Sequence, residues 1–282
     1  MPDLWGLAAI GTKFALYLGI LTAAGTVIAT LTFRLERTRG LALAFGVLGL
    51  LAAALAFSLR GANLTGDASG MTDPEMLGLL WSTPVGTALM YRVAGLTLLI
   101  TGLFLGHFGL WVSVLGGVLA IWSFDHVGHV SGRETMLLDI ALTFHLLAVA
   151  LWIGILTPLK RLASQPTRYA DAADVGHRFG VVASVAVPVL IILGGYMGYH
   201  LVGSFTALIG TGYGQALILK VVLVTSLLGL AAANKLRFIP DLRKGSPTAA
   251  SHLSKSISVE WFVFLAVLGV TAVLTSNLTL PT

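Results

Sequence analysis

The chain has 282 residues, of which 56% are hydrophobic and 10% charged, with a mean hydropathy of +0.92; this excludes a soluble globular domain. The formal net charge of +5 is ordinary for the basic loops of a membrane protein and gives no reason to invoke nucleic acid. There is no cysteine, so disulfides and thiolate ligands are excluded, and a soft metal would have to be met by Met and His.

Apolar runs long enough to cross ~30 Å of hydrocarbon as helices fall near 7–32, 41–59, 85–105, 109–124, 138–158, 179–201, 213–236 and 257–278. They predict an all-α polytopic membrane protein, about eight transmembrane helices in one membrane domain over 1–282. The opening MPDLWGLAAIGTKFALYLGI has a single base, Lys13, and runs into a full-length span. The first helix is therefore expected to stay in the membrane and not to be removed as a signal peptide. Met71 and Met76 fall in a long polar loop before the third span.

The third span opens at Thr83 and the seventh at Thr211 with one shared pattern, T-x-x-G-x-A-L-x-x-[KR]-V. The constant offset, across four spans, points to two parallel four-helix repeats, 1–130 and 131–282. It puts Arg92 and Lys220 about seven residues inside the boundary, ~10 Å deep. Each either snorkels to the headgroups or pairs with an acid such as Glu134 or Asp139. Gly102-x-x-x-Gly106 and Gly194-x-x-x-Gly198 suit close helix packing. The charged stretch LKRLASQPTRYADAADVGHRF between the fifth and sixth spans reads as a solvated connector, with His177 structural.

Lys and Arg sort by side. Arg34, Arg37, Arg39, Lys160, Arg161, Arg168, Arg178, Lys235, Arg237, Arg243, Lys244 and Lys255 share one face, against Lys13, Arg60, Arg92, Arg133 and Lys220 toward the other. The positive-inside rule then predicts both termini outside, on the periplasmic or extracellular face. Met71, Met76, Met90, Met136 and Met197, with His126, His129, His145 and His200, all fall toward that outer side. Thioether and imidazole together suit copper. His126 and His129 are i and i+3, Met197 and His200 likewise, and His145 lies about seven residues into the fifth span. Spans four, five and six are expected to bring these side chains together below the outer surface, with Met90 or Met197 as a softer contact. Asp125 is the expected carboxylate partner of His126 or His129. Trp152, seven residues after His145 on the same face, reads as core packing.

Gly128-His129, His145-Leu-Leu-Ala-Val-Ala-Leu-Trp152-Ile-Gly154, Tyr213-Gly214-x-x-Leu217-x-x-Lys220 and Glu260 resemble elements of the CopD/PcoD family of copper-resistance membrane proteins. The resemblance implies a multi-pass bacterial inner-membrane protein that handles copper, with copper uptake as its role and no enzyme activity. It also implies His129 and His145 as ligands, and a separate small periplasmic CopC-like carrier as partner. The residues leave two other readings open. One is a membrane cytochrome b, with bis-His haem on His145 and His200 or on His129 and His145 and with Arg92 and Lys220 at its propionates. The other is an assembly factor that delivers copper from the same outer site without transport. The inner half, without Met or a ladder of histidines, supports an outer binding site better than a pore.

Overall fold

The structure, a computed structural model, describes residues 4–106, 108–127 and 136–281. In chain order the helices are α1 Leu4–Phe33, α2 Arg39–Thr65, α3 Pro74–Trp81, α4 Pro84–Gly102, α5 Gly109–Trp122, α6 Met136–Ala163, α7 Tyr169–Val202, α8 Phe205–Gly210, α9 Gly212–Ala233, α10 Ile239–Arg243 and α11 Pro247–Ser276. A 3-10 turn, Ser123–His126, extends α5, and a π-helical turn, Asn234–Phe238, joins α9 to α10. Eight segments are long and apolar enough to cross a membrane: α1, α2, α4, extended α5, α6, α7, the α9–α10 run and α11. The chain is an all-α polytopic membrane protein. An even number of spans puts the start of α1 and the end of α11 on one face, called here the terminal face; the other carries most of the Lys and Arg and is called the basic face.

α1 is the centre of the bundle. Two-thirds of its most apolar stretch is buried, against α2, α5, α6 and α11, with Leu16, Ile20 and Leu21 fully enclosed. α7 and α9 are peripheral, only 11% and 6% of their apolar windows being covered. Lipid is as apolar as leucine, so close packing and hydrogen bonds, not water exclusion, hold such helices together. Small residues supply the closest approach: a Cβ on Gly154 of α6 would fall 2.0 Å from the carbonyl carbon of Gly25 of α1. Of the two G-x-x-x-G pairs only Gly102 makes a tight contact, where a Cβ would lie 2.5 Å from the Gly109 carbonyl oxygen and 2.6 Å from the Ser113 nitrogen of α5. α4 stops at Gly102, Gly106 sits in the following turn, and nothing approaches within 3.4 Å of a Cβ built at Gly194 or Gly198.

Two other expectations need correction. The stretch read as a solvated connector is largely helical. α7 begins at Tyr169, because Ala172, Ala173, Val175 and Gly176 are buried and a Cβ at Gly176 would meet Ile239 of α10 at 2.2 Å. The loop before the third span contains α3, started by Pro74 and by Asp73, whose carboxylate accepts from the backbone N–H of Glu75 (2.9 Å) and Met76 (3.3 Å).

The two copies of the shared pattern open their spans in the same way. Thr83 caps α4, accepting from the Val85 N–H, and Thr211 caps α9, accepting from the Gly214 N–H. In each case a short helix precedes the cap, and the pattern's glycine lies against its end. A Cβ at Gly86 would be 2.1 Å from the Trp81 carbonyl oxygen, and at Gly214 2.2 Å from that of Leu208.

Candidate metal centre

At the terminal face α5 gives way to the 3-10 turn Ser123–His126. Ser123 Oγ closes it by donating to the Ala120 carbonyl (2.6 Å) and accepts from Arg92 Nε (3.2 Å). The Arg92 guanidinium lies 5.4 Å from the Phe124 ring centre, and Phe124 stacks on Tyr17 of α1 at 4.8 Å. The turn thereby aims Asp125 at α6, where its Oδ2 accepts from Thr143 Oγ1 at 2.5 Å. His126 turns toward α4, its ring 4.8 Å from Tyr91.

Asp139 stands one helical turn before Thr143 on α6, close enough for its charge to act on Asp125. Asp125 Oδ1, Asp139 Oδ1 and His126 Nδ1 are buried with no hydrogen-bond partner. Buried polar atoms without partners are rare and call for an explanation, an ion or water among them.

His145 leaves α6 on the other side. It lies two positions after Thr143, about 200° around the helix, and it faces α7, where a Cβ at Gly194 would lie 3.5 Å from its Cε1. Its Nδ1 is likewise buried and unpartnered, with Lys220 of α9 within electrostatic reach. Met197, 8% exposed, packs between α6 and α7 against Leu138 and Ala141, one turn nearer the terminal face than Gly194. His200 contacts Tyr196 (4.5 Å) and Tyr199 (5.7 Å) of its own helix. Met90 is half exposed on α4.

α6 thus divides the predicted ligands. His126, with Asp125 and Asp139, lies on one flank; His145 and Met197 lie on the other. Among the described residues no three His, Asp or Glu side chains converge as metal ligands, so the expected meeting of imidazoles from spans four, five and six is not found there. His129, its neighbour Gly128 and Glu134 lie outside the described residues. Among the described residues no ion pair joins Arg92 or Lys220 to Asp139, and the four ion pairs, Arg168 with Glu36 and with Asp171, Arg178 with Asp174 and Lys244 with Asp241, lie toward the basic face.

Sequence reasoning missed a second polar cluster. Trp152 does pack, edge-on against Phe264, but its indole N–H also donates to Glu260 Oε2 at 3.1 Å. Glu260 Oε1 accepts from Asn234 Nδ2. The available signal was an acid within an apolar span, costly there without a role; drawing the eighth span from 257 instead of 247 put Glu260 at its edge.

The fold and this distribution of groups define a multi-pass membrane protein. Residues 1–139 match the family model for the copper resistance protein D-like N-terminal domain, and residues 173–274 that for copper resistance protein D. The chain belongs to the copper resistance protein D family and is a copper-related membrane protein. It is 32% identical over 176 residues to the copper transport protein CutJ of Bacillus subtilis (strain 168), covering 60% of this chain and 31% of that protein. It is 28% identical over 154 residues to the inner membrane protein YebZ of Escherichia coli (strain K12), covering 52% of each. The chain therefore spans about half or less of these relatives' length. No solved structure matches it.

Proposed function

We propose that this protein takes up copper at its terminal face, on the periplasmic side of the bacterial inner membrane, and serves copper import and homeostasis as a binding and transport protein and not an enzyme. The observation that carries this reading is the pair of orphaned imidazole nitrogens, His126 Nδ1 and His145 Nδ1, buried toward that face in a chain of a copper-handling family. In this reading His126 and His145 meet the cargo ion at separate stations, one on each flank of α6, with His129 as a further imidazole ligand; Met197 offers a thioether one turn above His145, and His200 and Met90 are outer contacts. Asp125 and Asp139 attract the cation. A separate CopC-like carrier delivers the copper. The orientation follows from the basic face lying in the cytoplasm, and the matching openings of α4 and α9 support an old duplication into 1–130 and 131–282.

The test is copper accumulation in cells lacking the protein, overproducing it, or overproducing His145→Ala. Uptake predicts cytosolic copper that rises with the wild type and not with the variant. Copper that accumulates in the membrane fraction while the cytosol stays unchanged would instead favour delivery to another membrane protein.

A further inference from the structure

On α11, His252, Ser256 and Glu260 recur at intervals of four, stacked along one side of the helix from the basic face toward the middle of the bundle. His252 is exposed, its ring 5.6 Å from Phe238 in the π-helical turn. Ser256 is 7% and Glu260 2% exposed. Asn234, the first residue of the π turn, donates its amide N–H to Glu260, while its own Oδ1 and the Ser256 Oγ are buried with no hydrogen-bond partner. π turns are rare and recur at functional sites. Here one shares its first and last residues with the two ends of the ladder.

Arg237 in the π turn and Lys255 on α11 are exposed, and three other nearby cations are engaged elsewhere. Lys235 donates to Ser184 on α7. Arg178 donates to the carbonyls of Thr32 and Phe33. Lys13 donates to the Thr275 carbonyl at the other end of α11. His145 and Lys220 stand toward the terminal face, His145 ~10 Å along α6 from Trp152. Among the described residues, no ion pair compensates Glu260.

We infer that Glu260 is an intramembrane proton-binding site, reached from the basic face through His252 and Ser256 and held in both charge states by Asn234. As a carboxylate it accepts from the Trp152 indole and the Asn234 amide. When His252 as imidazolium gives up a proton, passed along Ser256, Glu260 becomes a carboxylic acid. A half-turn of the Asn234 amide then presents Oδ1 to the new O–H. Both charge states are hydrogen-bonded, and the orphaned Oδ1 is the acceptor that the protonated state uses. The site stands without the copper reading; only what proton movement would drive rests on it.

The test is infrared difference spectroscopy on the full chain in liposomes after a pH step on the basic-face side, with no copper present. The expected result is a carboxylic-acid C=O band that is lost in Glu260→Gln, persists in Asp139→Asn, and rises severalfold more slowly in His252→Ala and Ser256→Ala. Trp152→Phe, which keeps the acid, must move that band to higher frequency by removing a donor. A band set unchanged by Glu260→Gln and by Trp152→Phe would overturn the site. A Glu260 band that ignores His252→Ala and Ser256→Ala, or that answers only to pH on the terminal face, would overturn the route.

Discussion

Replacing Gly154 by alanine adds one methyl group where the backbones of α6 and α1 pack directly on each other. The added Cβ would lie 2.0 Å from the Gly25 carbonyl carbon, 2.3 Å from its oxygen and 2.4 Å from the Thr26 nitrogen, against an ordinary contact of 3.4 Å or more. All three atoms are backbone, so no rotamer change relieves them and α6 must back away by roughly 1 Å, a gap that forfeits a quarter to a half of each lost contact. Ile153, Ile155 and Leu156 beside it are at most 2% exposed and share that loss. Overpacking of this kind costs about 3 kcal/mol, or a roughly hundredfold change in the folding equilibrium. The assay is reversible unfolding in mixed micelles, with Gly195→Ala as control. Gly195 is also helical, nothing lies within 4 Å of a Cβ placed there, and its replacement should be neutral or slightly stabilising. Equal effects of the two substitutions would refute the claim that glycine contact between α1 and α6 sets the core.

Thr83→Val and Thr211→Val each remove a cap at matching positions and should each cost about 1 kcal/mol in the same unfolding assay; a difference of severalfold would contradict their structural equivalence. Trp152→Phe and Glu260→Gln should be coupled, since the indole donates to a carboxylate 2% exposed. A double-mutant cycle should give about 1–2 kcal/mol of interaction, and additivity within error would show that the hydrogen bond contributes nothing.

The spans were legible because hydrophobic length is the dominant signal for a helix in lipid, and the family resemblance rested on residues, from His145 to Gly154 and at Glu260, that the structure places in the bundle. The helix ends were less legible. α7 starts ten residues before the predicted 179 because its first turns are held by α10, a partner the apolar run itself does not reveal. The same limit applied to the site. That His145 falls within the fifth span could be read from sequence, but its separation from His126 depends on which faces of α6 meet α5 and α7. Trp152 and Glu260, 108 residues apart, meet only through the packing of α6 on α11.

The most direct test of the copper reading is metal stoichiometry with X-ray absorption on the purified protein after loading with Cu(I), for wild type, His126→Ala, His145→Ala and His129→Ala. The account predicts a defined copper ratio with imidazole and thioether in the wild-type coordination sphere, and loss of copper or of imidazole ligation in the His145 and His129 variants. Unchanged stoichiometry and coordination in the double variant His129→Ala/His145→Ala would contradict it, and a haem absorption band in the purified protein would assign those histidines to a different cofactor.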